Sequence, residues 1–166
     1  MIPLIVSDSH LIKARDQAVE MGRLNNSITR GQGNVAGFAG EIITADYLGA
    51  TQQNTYEYDL VTFNGQTIDV KTKRTSVEPR PHYECSVAAL NAKQQCDYYA
   101  FVRVKNDYSI GWLLGVITPQ AYYANAVFMK KGEVDPDNNY VVKSDCYNLS
   151  IEELWKISEH ENCIRR

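Results

Sequence analysis

The stretch YDLVTFNGQTIDVKTK, Tyr58 to Lys73, carries two carboxylates and an ammonium, Asp59, Asp69 and Lys71, on what reads as two strands around Asn64-Gly65. A half-buried hairpin ordinarily keeps such charges off its inner face. Two carboxylates held together repel, and one must take up a proton unless a cation lies between them. Their hard oxygens suit Mg²⁺, which takes one or two protein carboxylates and leaves its other positions to water and phosphate oxygens. Lys71 cannot ligate a cation, but its ammonium can stabilise charge developing on a phosphate or orient an attacking water. The set suits metal-assisted phosphodiester hydrolysis. The competing reading is a polar face in solvent, with Asp59 or Asp69 paired to Lys71 or Lys73. A carboxylate-x-lysine triplet alone arises about once by chance in a chain of average charge.

Whether the carboxylates meet depends on strand register. Alternation puts Ile68 and Val70 on one face of the second strand and Asp69, Lys71 and Lys73 on the other. A two-residue Asn64-Gly65 turn would set Asp59 against Val70 and bury a charge on the apolar face. A three-residue loop, Phe63-Asn64-Gly65 with Gly65 left-handed, pairs Thr62 with Gln66, Leu60 with Ile68 and Tyr58 with Val70. That register keeps one face apolar, and apolar pattern is what fixes register. It is the predicted one, and it sets Asp59 opposite Asp69 with side chains roughly 5 Å apart.

A helix must approach this hairpin to complete a site. The segment GFAGEIITADYLGA, Gly37 to Ala50, has Phe38, Ile42, Ala45 and Leu48 as an apolar stripe, and Gly49 to end it. Gly37 and Gly40 lower helix propensity by up to ~1 kcal/mol each against alanine, so they call for a reason. Close approach to another backbone is the natural one. Glu41 stands beside that glycine pair, placed to project towards the sheet edge.

With Glu41 included, the chain resembles the PD-(D/E)xK nuclease superfamily, the restriction-endonuclease-like and resolvase-like enzymes, over about Gly37 to Val104. Glu41 matches the glutamate of the family's first core helix, Asp59 the first acidic residue of the motif, and Asp69-Val70-Lys71 its (D/E)xK. The helix segment also looks like that of the small resolvase-like members. Tyr58 stands where the family's name has proline, a departure that many members share. The resemblance implies an α-β-β-β-α-β core, a mixed β-sheet flanked by helices. It implies Mg²⁺, with Mn²⁺ as a substitute, held by Asp59, Asp69 and the Val70 carbonyl. Glu41 would assist with metal or water, and Lys71 would act at phosphate and nucleophile. The implied activity is a DNA endonuclease using a metal-activated water. The rival is a member that kept the fold without catalysis, as a nucleic-acid-binding or assembly protein. Four matched charged positions argue against that rival. Some members carry a further polar residue on the helix after the core strands. Lys93, Gln94 and Gln95 are the candidates here, with the surface of a short helix as their simpler role.

The rest of the chain supplies the frame. Ser7-Asp8-Ser9 caps a first helix from about His10 to Leu24, and a polar loop, Asn25 to Asn34, leads to the second helix, Val35 to Leu48. After the hairpin come a strand around His82 to Val87, a short helix from Ala88 to Gln95, and strands over Tyr98 to Lys105 and Ile110 to Thr118. Beyond Pro119 the pattern weakens to one or two helical turns, a turn-rich loop and a last short helix at SIEELWKI. The order reads as an α/β or α+β domain, a mixed sheet with helices packed on it. At 166 residues one nuclease domain is expected: an N-terminal helix and loop over 1–33, a core over 34–118 and an extension over 119–166.

Composition is that of a globular protein, 44% hydrophobic and 22% charged with net charge −3, which excludes a polycation that coats nucleic acid wholesale. The run Met1 to Val6 is too short for a signal peptide, and no stretch reaches membrane-spanning length. Cys85, Cys96, Cys146 and Cys163 form no C-x-x-C pair, and the three histidines are isolated. Reduced thiols in a cytoplasmic protein are expected, without a zinc site. Lys71, Lys73, Arg74 and Arg80 with His82 form the densest basic stretch, directly after the acidic site; Lys73, Arg74 and Arg80, with Arg30, are candidates for phosphate contacts. DNA, branched or structured forms included, is the expected partner, with RNA as an alternative. A homodimer would set two sites against two strands, and a phage, mobile element or repair pathway is the expected setting. RGQGN lacks both the spacing and the preceding strand of a nucleotide-binding loop. Tyr98-Tyr99 and Tyr122-Tyr123 suit base stacking, but packing is the favoured role.

Overall fold

The computed structural model describes residues 1–21, 34–53, 55–135 and 140–164, apart from the side chains of 161–163. Its elements are β1 (Ile2–Ile5), α1 (Asp8–Met21), α2 (Asn34–Leu48), β2 (Thr51–Gln52), β3 (Leu60–Val61), β4 (Thr67–Thr75) and β5 (Glu84–Ala88). They continue with β6 (Tyr98–Lys105), β7 (Ile110–Ile117), α3 (Pro119–Asn125), β8 (Val127–Met129), β9 (Cys146–Ser150) and α4 (Ile157–Ile164). Six strands form a mixed sheet in the order β1-β7-β6-β4-β3-β2, in which only β4 and β6 run parallel. A second, antiparallel sheet has the order β5-β9-β8. The class is mixed α and β. Among the described residues no helix is long and apolar enough to cross a membrane.

Local chemistry sets the ends of the two helices that matter for the site. Ser7 caps α1 twice over: its carbonyl accepts from Leu11 N–H, and its hydroxyl from His10 N–H. Helix α2 stops at Gly49, whose φ of +66° is the left-handed turn that glycine adopts without strain, and Ala50 N–H returns to the Ala45 carbonyl. Helix α2 is buried nearly all round, because α1 covers one side and the large sheet the other. Ala14, Phe38, Ala39 and Ile42 form the seam between the helices. Ile43 and Leu48 reach into the main core with Leu60, Ile68, Val70, Val102 and Val104. Each such aliphatic side chain contributes roughly 1.5–3 kcal/mol on full burial.

The opposite face of the large sheet is covered by the small one. Tyr99, Phe101, Trp112, Leu114 and Ile117 pack there with Cys85, Val87, Tyr122 and Leu149. The alternation read from the sequence of β4 therefore holds. Ile68 and Val70 face α2, while Asp69, Lys71 and Lys73 lie on the side of Tyr99, Phe101 and Arg103, their partners on β6.

Several expectations needed correction. The N-terminal run, read only for what it excludes, is strand β1, paired antiparallel with β7 along its length. The helix expected over Ala88 to Gln95 is a single 3-10 turn, Ala89–Asn91. Its segment is tied down by side-chain bonds at Gln94 and Gln95 rather than by helical turns. The region after Pro119 contributes two strands, β8 and β9, that the sequence did not announce, and its final helix splits into a 3-10 turn, Ile151–Glu153, and α4. The reason is physical: β8 and β9 are short, and without their sheet partners their pattern has no period to read. The loop containing Arg30 lies outside the described residues, as does the expected end of the first helix beyond residue 21.

Candidate active site

The hairpin register is the predicted one at its turn. Leu60 pairs with Ile68 and Val61 with Thr67, Thr62 N–H bonds the Gln66 carbonyl, and Gly65 sits at φ +85°. Below Leu60 the ladder changes. Asp59 N–H donates to the Ile68 carbonyl, and the Asp59 carboxylate accepts from Val70 N–H at 2.7 Å. The expected Tyr58–Val70 pair is thus replaced by a side-chain bond, and β3 ends two residues long. The two strands part at this point. Val70 turns its N–H, and with it the carbonyl on the same edge of the strand, into the gap that Asp59 occupies.

Helix α2 delivers the third carboxylate. A side chain at Gly40 would collide with the Thr72 side chain of β4, so the missing Cβ is what lets α2 lie against that strand. Glu41 follows immediately and is buried, 8% exposed, beside Asp69 and Lys71. Gly37 plays no such part, because the space around its absent side chain is open. The expectation that both glycines mark close approach holds for Gly40 alone.

The electrostatics follow from this gathering. Burial pushes the Glu41 carboxyl up from 4.5 to about 7; the bond from Gln52 opposes the rise, the Asp69 charge adds to it and Lys71 eases it. Burial raises Asp59 well above the usual carboxylate range, and the charges of Glu41 and Asp69 add to that, against the relief from Val70 N–H and Lys71. Asp69 is 4% exposed, and its Oδ2 is buried without a hydrogen bond of ordinary geometry, although it forms an ion pair with Lys71 Nζ. Were all three carboxylates ionised they would outnumber the Lys71 ammonium in a poorly hydrated place, which is why burial and mutual repulsion favour the protonated forms of Glu41 and Asp59.

Neutral groups hold the cluster in position. Gln52 Nε2 donates to Glu41 Oε2 at 3.3 Å, and the Gln52 amide exchanges bonds with Gln17 of α1. Lys71 Nζ donates to Gln94 Oε1 at 2.9 Å and lies 5.6 Å from the ring centre of Tyr99. Gln94 Nε2 in turn donates to the Tyr56 carbonyl at 2.6 Å, and Gln95 N–H to Glu57 Oε2. Gln94 therefore contacts the site, whereas Lys93 is exposed.

The basic candidates separate. Lys73 continues the Asp69-Lys71 face and donates to Ser86 Oγ at 3.1 Å. Arg74 lies on the other face of β4, donating to the Asn106 carbonyl and lying 5.7 Å from the Tyr108 ring centre. Arg80 is exposed and lines a surface cavity of about 410 Å³ with Val77, Glu78, Pro79 and Tyr83. Sequence reasoning missed Gln52, Gln17 and Tyr99. Tyr99 follows from the parallel pairing of Asp69 with it; Gln52 carries no signal in a strand two residues long, and Gln17 is one polar residue among several on α1.

As a cation site the donor set fits: Asp59, Asp69 and Glu41 are hard oxygen ligands, and their mutual repulsion is what a divalent ion would relieve. Among the described residues no three such side chains already converge at ligand distance, and Lys71 occupies one side of Asp69. No protein-family model matches the sequence, and neither does any curated protein, so the functional reading rests on the cluster itself.

Proposed function

We propose that this protein is a metal-dependent nuclease of restriction-endonuclease-like fold, an endonuclease that hydrolyses phosphodiester bonds in DNA, acting in the cytoplasm. The observation that carries the reading is the meeting of Glu41, Asp59, Asp69 and Lys71, from a helix, a strand end and a central strand, in one buried cluster. Such a charge imbalance costs stability, and a scaffold has no use for it. The element order supports the fold: α2, then β2, β3 and β4, then a crossover to a parallel β6. The crossover carries a 3-10 turn where that fold family has a helix.

Asp59, Asp69, Glu41 and the Val70 carbonyl would hold Mg²⁺, or Mn²⁺ in its place. The ion would supply a Lewis acid and a water of lowered pKa. In the reaction a water oxygen bonds to phosphorus, one P–O ester bond breaks, and the leaving oxygen takes a proton. The chain's own parts divide the remaining work. Glu41, whose carboxyl burial raises to about 7 in the metal-free cluster, would be ionised beside the cation and would help to hold the ion or to orient the attacking water. Lys71, held by Gln94 and backed by Tyr99, offers donors to the phosphate oxygens as their charge grows. Asp59 fixes Val70 through its N–H and so aims the neighbouring carbonyl.

The test is incubation of the protein with plasmid, linear and branched DNA and with RNA, in Mg²⁺, Mn²⁺ or EDTA, beside Asp69→Ala and Lys71→Ala. Metal-dependent cleavage lost in both folded variants is the expected result. A folded protein that binds DNA without cutting it, unaffected by either substitution, would replace this reading with a binding module on the same fold. The ion pair that already joins Asp69 to Lys71 is the observation on that side.

A further inference from the structure

The face of β4 that carries Asp69 and Lys71 runs on to Lys73, and β6 sets Arg103 beside Lys73 in register. Both side chains are anchored by neutral groups of the small sheet. Lys73 donates to Ser86 Oγ at 3.1 Å, and Arg103 donates to the Glu84 backbone carbonyl at 2.8 Å and lies 5.9 Å from the ring centre of Tyr83. No ion pair within 4 Å among the described residues includes either cation. The Glu84 side chain acts on both from farther away. Burial, and then the charge of Arg103, holds the Lys73 ammonium below its usual pKa. An ammonium has three donors and a guanidinium five, so each anchor leaves donors over. The Lys73 residue keeps accessible surface although its ammonium end is partly desolvated, which leaves the pair open to a ligand.

The pair follows the acidic cluster along β4 and β6, and the Glu84 carboxylate acts on both cations only from beyond ion-pair distance. Two residue steps along β4 lead from Lys71 to Lys73, a rise of about 6.6 Å. That rise is comparable to the separation of neighbouring phosphates along an extended nucleic-acid strand. Farther on, past Tyr83, lies the cavity that Arg80 lines.

We propose that Lys73, Arg103 and Ser86 form a phosphate subsite, which binds the nucleic-acid backbone one phosphate away from the bond held at Lys71. The subsite rests on the nuclease reading, and the experiment separates the two. Asp69→Asn protein, in which cleavage is stopped, is titrated with short fluorescent single-stranded and duplex DNA over a range of salt. The same background is tested with Lys73→Met, Arg103→Met, Arg103→Lys and, as a charge control, Lys156→Met. Lys73→Met and Arg103→Met should each lower the slope of log K against log salt by about one, with the control unchanged and Arg103→Lys keeping most of the slope. Unchanged slopes in Lys73→Met and Arg103→Met would overturn the subsite. So would an equal loss in Arg103→Lys and Arg103→Met accompanied by a lowered melting temperature, since the loss would then be one of packing. Wild-type protein is assayed for cleavage in parallel. No cleavage, with the two slope changes intact, removes the nuclease reading and leaves a phosphate-binding surface; cleavage without the slope changes removes the subsite alone.

Discussion

Glu41 is the residue whose surroundings make the sharpest demand on the molecule. Its carboxyl ionises in the unfolded chain near 4.5 and in the folded protein near 7. Between those values the folded state holds a proton that the unfolded state has released, so stability falls as pH rises through that window. The loss amounts to at most about 3 kcal/mol from this group. Metal-free Glu41→Gln protein should therefore match the wild type near pH 4.5 and melt at a higher temperature by pH 8, as a series of thermal melts would show. Equal melting curves at pH 8 would mean that the carboxylate is not penalised there. Gln52 is expected to restrain this shift, because its bond favours the ionised form. Carboxyl carbon NMR of metal-free protein should find the Glu41 titration displaced upwards in Gln52→Ala. At the same scale Gln94→Ala, which frees Lys71 of an acceptor, should lower kcat at least several-fold with little change in KM.

Helix α2 and strand β4 are the elements on which the site depends, and Gly40 is where they touch. Gly40→Ala forces its Cβ against Thr72 and should cost about 1–3 kcal/mol in urea unfolding, with activity lost as Glu41 is displaced. Gly37→Ala, with open space at its Cβ, should instead gain up to ~1 kcal/mol from helix propensity. The opposite signs distinguish close packing from composition. Both glycines look alike in the sequence, since only the partner strand tells them apart. The same limit explains β3. The apolar alternation specified the pairing of Leu60 with Ile68, but nothing in it showed that the Asp59 carboxylate would take over the Val70 N–H and end the strand there. Gly65 was legible, because a three-residue loop requires a residue at positive φ and its own value is +85°.

At the scale of the molecule, the parts with a long period were readable and the parts defined by distant pairing were not. Helix α2, β6 and β7 follow from sustained apolar patterns. The small sheet needs β5 to meet β9 across most of the chain's second half, and its strands are too short to announce themselves. That sheet covers the face carrying Asp69, Lys71 and Lys73, so it shapes the approach to the site although no pattern in its short strands announces it. The cluster was legible as residue types; Gln52 and Tyr99 joined it, and Arg103 joined Lys73 beside it, only through the fold. On the nuclease proposal the three carboxylates are gathered to share a divalent cation. Calorimetric titration of metal-free protein with Mn²⁺ at pH 8 tests it, with Asp69→Asn and Glu41→Gln measured alongside and Glu57→Gln as a carboxylate outside the cluster. One ion per chain is expected, with binding abolished in Asp69→Asn, weakened in Glu41→Gln and unchanged in Glu57→Gln. No binding to the folded wild type, or binding indifferent to Asp69→Asn, would contradict the proposal.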